Sequence, residues 1–295
     1  MKKFTILIPV FNDWKSLFKL LENIDIQVFE WDAEVSILIV NDSSTEKKPI
    51  AEFRLKNIKS IRVINMKKNR GHARCNAAGL KFLVEKEDFD YVILMDGDGE
   101  DRPEELTLLF NKIKENPLIT VTANRIRRSE GLFFKFLYTC HKILTFIFTG
   151  KLIKFGNYSC LPKQAAARLT KEACVWSSFS GSVTKIISDR VSVPSIRGKR
   201  YFGPSQMNLL SLLVHSFSII AVFKISVIVR SFLFIIFYLF FIFGNISFIT
   251  LLPVFIILVF LFFILKISSR ENIEELNNSL KNIDSIEVLS DLNSR

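Results

Sequence analysis

Over residues 1–122, short and mostly apolar runs alternate with longer stretches in which apolar positions recur every three or four residues. Unbroken apolar runs suit strands covered on both faces of a parallel sheet, and the longer spacing suits the helices that cover them. The runs are residues 4–8 (FTILI), 35–40 (VSILIV), 61–64 (IRVI), 91–95 (YVILM) and 119–122 (ITVT). A first helix is expected from Asn12 or Asp13 as N-cap through Leu21, with Leu17, Leu20 and Leu21 inward. Others are expected over 75–83 and over 104–114, the latter opened by Pro103 with Asp101 as N-cap and Glu104 three residues on. This alternation predicts an α/β domain with a mostly parallel, Rossmann-like sheet. Ligands of such sheets bind beyond the carboxyl ends of the strands, the edge from which loops 9–13, 41–46 and 96–101 leave.

Past residue 130 the pattern changes. Residues 132–149 (LFFKFLYTCHKILTFIFT) are apolar and aromatic, with Lys135, Thr139 and Lys142 at helical spacing along one side. Residues 209–223 repeat the design, with Asn208, Ser211, His215 and Ser218 as the polar stripe. Both read as helices lying in a membrane interface, or as core helices with one wet edge. His215 belongs to that stripe. Residues 231–265 carry no charge at all. As one helix they would extend roughly 50 Å, against a hydrocarbon core of about 30 Å, so two spans are expected. Gly244-Asn245 is the natural break, giving spans near 225–244 and 246–265, with Pro253 kinking the second and Arg230 snorkelling from the first. Lys224, Arg230, Lys266 and Arg270 sit at the outer ends, which by the positive-inside rule puts both termini in the cytosol.

The expected organisation is therefore a cytosolic domain over 1–205, a juxtamembrane amphipathic helix over 206–224, a transmembrane hairpin over 225–266 and a cytosolic tail over 267–295. Ile273, Leu276, Leu280, Ile283, Ile286 and Leu289 predict an amphipathic helix in that tail, docked on the domain or on a neighbouring subunit. Residues 1–9 (MKKFTILIP) read as the first strand, their apolar run being short for a signal peptide.

Charge sharpens this division. The net charge of +11 is not spread evenly: residues 122–205 hold 15 Lys and Arg against Glu130, Glu172 and Asp189, whereas residues 1–121 hold 19 against 20 acids. A basic patch beside membrane-interface helices points to anionic lipid or a phosphorylated substrate, and away from nucleic acid. The four cysteines are scattered, without a Cys-x-x-Cys, which argues against a zinc site or disulfide framework. No Gly-x-Gly-x-x-Gly or Walker loop follows any strand, which disfavours dinucleotide oxidoreductases and P-loop enzymes.

The densest chemistry lies where the run 91–95 ends. Asp96, Asp98, Glu100 and Asp101 crowd six positions, and four carboxylates at one strand end repel unless a cation sits among them. Magnesium takes one or two carboxylates and completes its shell with water and phosphate oxygens. Acids also gather at helix starts simply because the macrodipole favours them there.

Four segments, in order and spacing, carry a resemblance: residues 8–13 (IPVFND), 40–45 (VNDSST), 69–79 (NRGHARCNAAG) and 95–104 (MDGDGEDRPE). Together they resemble the motifs of glycosyltransferase family 2, with its GT-A fold. Residues 197–205 (RGKRYFGPS), the two interface helices and the hairpin are similar to the polyprenyl-phosphate glycosyltransferase branch, which includes dolichyl-phosphate mannose synthases. The resemblance implies a nucleotide site at Pro9, Asp13, Asp42, Asn69 and Asp96, although Asn41 stands where the family's first paired acid usually is. It implies a Mg2+ or Mn2+ site at Asp96, Asp98 and Glu100, and an acceptor-phosphate site at Arg125, Arg127, Arg200 and Ser205. Asp98, Arg125 and Arg200 are then the catalytic candidates. Residues 156–160 (GNYSC) depart from the family's Gly-Asp-Phe-Arg-Leu, with Ser159 in place of a phosphate-holding arginine that Lys151, Lys154 or Arg127 would replace.

The implied activity is a metal-dependent, inverting hexosyl transfer from a UDP- or GDP-linked sugar to polyprenyl phosphate at the cytosolic face of the inner membrane, in cell-envelope glycan synthesis. The implied partners are the donor, the lipid and the membrane, with self-association into a homo-oligomer as a further expectation. A family 2 enzyme acting on a hydroxyl of a lipid-linked glycan or polysaccharide precursor is the alternative that Ser159 motivates. A non-catalytic nucleotide-binding scaffold is a third reading, set against by the complete acidic cluster.

Overall fold

The computed structural model describes residues 1–50, 55–127, 132–204 and 209–291. Strands β1 (Lys2–Val10), β2 (Ala33–Asn41), β3 (Ile58–Met66) and β4 (Tyr91–Leu94) fall on the first four apolar runs and pair in parallel. β5 (Thr120–Arg127) continues past the expected end of its run. Three further strands complete the sheet: β6 (Ser159–Pro162), β7 (Arg190–Ile196) and β8 (Ile283–Asp291). Among the described residues the order is β7-β5-β6-β4-β1-β2-β3-β8. β6 runs antiparallel to β4 and β5, and β8 antiparallel to β3, while β5 and β7 are parallel.

The central strands read as continuous apolar runs because both faces are covered. Ile6, Ile8, Ile37, Ile39 and Ile93 enter one core layer; Leu7, Leu38, Val40, Val92 and Leu94 enter the other. The helices α1 (Trp14–Gln27), α2 (His72–Lys86) and α3 (Leu106–Glu115) supply the cover, α1 and α3 on the first layer and α2 on the second. α2 lies close on the sheet at Gly79, where a Cβ would stand 2.5 Å from Leu7 Cδ1 and 2.9 Å from Val40 Cγ2. After β5 the chain leaves the sheet as α4 (Leu132–Thr149), then returns through β6 to α5 (Lys163–Leu169) and α6 (Phe179–Ile186), which extend the second layer.

α7 (Leu209–Ala221) leads into α8 (Lys224–Ile242) and α9 (Phe248–Ser268). The last two are long and apolar enough to cross a membrane; at 19 and 21 residues they measure about 28 and 31 Å. The break falls at residues 243–247, where Ser247 caps α9 reciprocally with Thr250 and the Tyr238 hydroxyl donates to Thr250 O at 2.9 Å. Ile220, Ala221, Val227, Leu261 and Ile264 join α7, α8 and α9 in a separate small core, against Leu144 and Phe148 of α4. Arg230 does not simply snorkel. Its Nη1 donates to Ile147 O at 3.0 Å, placing a cation on the free carbonyls that end α4. Lys224 and Glu271, 3.1 Å apart, tie the outer ends of α8 and α9 together.

The tail corrects the sequence reading. In place of one amphipathic helix, α10 (Ile273–Asn277) is followed by a 3-10 turn over Ser279–Asn282 and then by β8. The exposed edge of β3 offers a row of backbone partners that a docked helix would leave unpaired. Ile283, Ile286 and Val288 are β-branched and suit that edge, pairing with Met66, Ile64 and Arg62. The tail is thus docked on its own domain.

Candidate active site

β4 ends at Leu94, and the acidic loop leaves the carboxyl edge of the sheet folded on itself. Asp101 Oδ2 accepts the Asp96 N–H at 3.0 Å, and Asp98 Oδ1 accepts the Glu100 N–H at 2.9 Å. Asp101 thus closes the loop and does not cap the turn that follows, which has Arg102 at that position and no side-chain cap. Arg125, on β5, lies 3.4 Å from Asp101 Oδ1. Gly156 leaves room for it, since a Cβ there would stand 3.1 Å from Arg125 Nη2. Asp96 Oδ1 accepts from Asn157 Nδ2 at 3.0 Å and lies 3.2 Å from His72 Nε2 at the start of α2.

The connection after β7 fastens onto this loop. Gly198 N–H donates to Glu100 O at 2.8 Å and Tyr201 N–H to Asp98 O at 2.9 Å. Arg197 pairs with Glu100. Arg200 forks between two acids, pairing with Asp13 and, at 2.6 Å, with Asp98 Oδ2. The Tyr201 ring lies on Gly99, whose φ of +89° and lack of a side chain both serve the approach, and its hydroxyl accepts from Asn23 at 2.8 Å.

These contacts separate the carboxylates electrically. Burial opposes charge on Asp96, yet His72, Arg125 and Asn157 hold it well below the usual carboxylate range. Burial, then Asp96 and Glu100, push the Asp98 carboxyl up to about 6. Burial and Asp96 push Asp101 up to about 7 against the pull of Arg125. At His72 the protein surround opposes charge, and Asp96, Asp98 and Asp101 outweigh it to raise the imidazole's proton affinity.

On the β1–β2 side, Asn12 takes a left-handed φ of 51° and its Oδ1 accepts from the Thr45 and Glu46 amides at 2.8 and 3.0 Å. Loops 9–13 and 41–46 are thereby tied to each other. Asp13 occupies the N-cap position of α1 without a side-chain cap bond, because its carboxylate pairs with Arg200. Asp42 is buried, and its two oxygens accept the Arg70 and Gly71 amides at 2.8 and 2.7 Å. Asn69 is exposed in the turn just before, and Pro9 O lies 3.1 Å from where a Gly97 Cβ would be. The structure thus brings Pro9, Asp13, Asp42, Asn69, Asp96, Asp98, Glu100, Arg125 and Arg200 to one sheet edge. Ser205, Asn208 and Glu130, and the side chains of Arg127 and Lys135, lie outside the described residues. Ser159 is buried on β6 and donates to Asn157 O at 2.9 Å.

The expected trio of metal ligands is not brought together as a cage. Among the described residues no three His, Cys, Asp or Glu side chains converge on one point, because Glu100 turns to Arg197 and Asp98 to Arg200. The donor chemistry nevertheless fits a hard divalent cation, which asks the protein for only one or two carboxylates. Asp98, its charge suppressed by burial and by two neighbouring acids, is one that a cation would restore to its charged form. Arg197, Tyr201, His72 and Asn157 also belong to this edge. In the sequence, His72 and Asn157 stand inside recognisable segments but only the fold aims them at Asp96.

The fold and site together define a GT-A architecture, a mostly parallel mixed sheet with its ligand edge at the ends of β1, β2 and β4. Residues 5–174, more than half of the chain, match glycosyl transferase family 2, and the chain belongs to that family. The fold is similar to that of glucosyl-3-phosphoglycerate synthase from Mycobacterium tuberculosis, solved with Mn2+, UDP-glucose and phosphoglyceric acid. The TM-score is 0.53 at 13% identity, over 77% of this chain and 80% of that one. A second mycobacterial protein gives a TM-score of 0.51 at 15% identity, over 75% and 73% of the two chains. An uncharacterised protein of Methanocaldococcus jannaschii is 25% identical over 162 residues, 52% of this chain and 67% of its own.

Proposed function

We propose that this protein is a membrane-anchored inverting glycosyltransferase that moves a sugar from a UDP- or GDP-linked donor to polyprenyl phosphate at the cytosolic face of the inner membrane. The observation that carries this reading is the meeting, at one sheet edge, of the acids Asp13, Asp98 and Asp101 with the guanidinium groups of Arg125 and Arg200. In chain order, α7 and the apolar hairpin follow Arg200. Loops 9–13 and 41–46 hold the nucleotide, and Asp98 with Asp96 would hold Mg2+ or Mn2+. That ion supplies neutralisation of the charge developing on the leaving diphosphate. Arg125 and Arg200 hold the acceptor phosphate in line with the anomeric carbon. Its oxygen forms the new bond as the sugar–diphosphate bond breaks, inverting the centre. A lipid phosphate is already an anion near neutral pH, so no general base is required, in keeping with the scarcity of acids over residues 122–205.

Buried Ser159, where the family pattern has an arginine, supports a second reading in which the acceptor is a hydroxyl of a lipid-linked glycan or polysaccharide precursor. Membranes carrying the protein, given labelled UDP- and GDP-sugars with polyprenyl phosphate, separate the two. The lipid-phosphate reading expects a metal-dependent, organic-extractable product released by mild acid. An acid-stable product establishes the second reading instead, and the absence of any lipid product from all common donors overturns the first. Mn2+ and UDP-glucose, bound by the structurally similar mycobacterial synthase, are the first probes to use.

A further inference from the structure

The strand β8 takes no part in the chemistry above, yet its side chains reach the loop beside β2. Glu287 on β8 pairs with Lys48 and accepts from Asn65 Nδ2 at 2.6 Å, which also donates to Ser285 Oγ at 3.0 Å. Asn65 stands opposite Asn41 in the β2–β3 register, and Asn41 Nδ2 donates to Asn65 Oδ1 at 2.9 Å. Asn41 Oδ1 accepts the Ser44 N–H at 3.0 Å, and Ser44 Oγ accepts the Asn12 N–H at 2.9 Å. One line of hydrogen bonds therefore runs from the C-terminal strand, across β3 and β2, into loops 41–46 and 9–13.

The orientations of the two asparagine amides in this line are set from both ends, by the Glu287 carboxylate and by the Ser44 N–H. A carboxylate can only accept, so Glu287 turns the NH2 of Asn65 towards β8. That leaves the Asn65 carbonyl facing β2, where it fixes the NH2 of Asn41. The remaining Asn41 carbonyl is the acceptor that the Ser44 amide needs. Reversing one amide would set donor against donor or oxygen against oxygen, leaving partly buried groups unsatisfied. Lys48, and after it Asn65, hold the Glu287 carboxyl below its ordinary range despite partial burial, so it remains an acceptor at neutral pH.

We infer that Glu287 is a positioning residue for the donor nucleotide: through Asn65 and Asn41 it fixes loop 41–46, and with it loop 9–13, at the sheet edge. The inference rests on the reading of these loops as the wall of the nucleotide site. It gives the segment that follows the membrane hairpin a role in donor recognition, remote from the acidic loop and from the acceptor arginines.

Amide hydrogen exchange and ligand titration on the full-length protein in detergent test it. Glu287→Ala is expected to speed exchange in segments 9–13 and 41–46 about tenfold while the acidic loop 96–101 and the β3 amides at 61–64 stay unchanged. In the presence of Mn2+, affinity for whichever of UDP and GDP binds the unaltered protein should fall about tenfold, and affinity for pyrophosphate should hold. Asn41→Asp alone sets two oxygens face to face and should loosen the same loop. Combined with Glu287→Ala it should restore protection and nucleotide affinity, because Asn65 is then free to turn its NH2 to the new carboxylate. A purely structural role for β8 would instead make the two losses add. Unchanged exchange at 41–46 in Glu287→Ala, or additive losses in the double variant, overturns the relay. Failure of the unaltered protein to bind either nucleotide overturns the donor reading and the nucleotide role with it, while the exchange measurements still decide whether the relay exists.

Discussion

At Asp98, three influences meet in one side chain: burial, two acidic neighbours and the Arg200 guanidinium. Asp98→Ala removes the carboxylate best suited to a cation and should lower sugar transfer by at least about a hundredfold, read as labelled product at saturating donor. Retained transfer would remove the metal assignment. Gly99 next to it is constrained twice, by its left-handed φ and by the Tyr201 ring, 2.6 Å from where a Cβ would be. Gly99→Ala should therefore detach the 197–201 connection and cost about 1–3 kcal/mol of stability, measured as a fall in the thermal midpoint. The acids of this site were legible in the sequence because four of them crowd one strand end. Arg125 and Arg200 were named through the family resemblance, but the ion pairs were not legible: Arg200 reaches Asp98 from 102 positions away, and Arg197 reaches Glu100 from 97, and no local pattern encodes such a pairing.

Among the elements, legibility followed coverage. β1 to β4 appear as apolar runs because helices bury both of their faces. β6 has only four residues and β7 carries Pro194 in an alternating, partly exposed pattern, so neither looks like a buried strand. In β8 the three-residue spacing of Ile283, Ile286 and Leu289 continues the helical pattern begun at Ile273, and only the open edge of β3 decides against it. The α2 contact can be checked directly. Gly79→Ala forces a methyl onto Leu7 and Val40 and should destabilise the domain by about 1–3 kcal/mol, seen as a lower thermal midpoint. The acidic loop makes a second prediction, for the metal-free protein. Asp98 and Asp101 titrate near 6 and 7 in the folded state, against 3.8 as the ordinary value, so the folded state holds more protons across that window. Their contribution to stability is whole below about pH 4 and declines as pH rises towards 7. In EDTA, the thermal midpoint should show this decline, and Asp101→Asn should flatten it; a slope unaffected by that substitution would contradict the loop's electrostatics.

For the whole molecule, two apolar helices stand beside the sheet domain with most of their side chains exposed. Lys224 and Glu271 bind their outer ends together, and Arg230 anchors α8 to the end of α4. In the proposed orientation, a cysteine introduced by Asn245→Cys should react with an impermeant thiol reagent from outside intact cells, and one introduced by Ser269→Cys only after lysis. The opposite pattern would place the catalytic edge on the wrong side for a cytosolic donor. The joining of a metal-held sugar nucleotide to a lipid phosphate at one sheet edge is read out by transfer of label from UDP- and GDP-sugars to polyprenyl phosphate in membranes. The expected result is a lipid product that requires Mg2+ or Mn2+, disappears with Asp98→Ala and releases its sugar in mild acid. A product that forms equally well in EDTA, or a sugar that stays attached through mild acid, would contradict it.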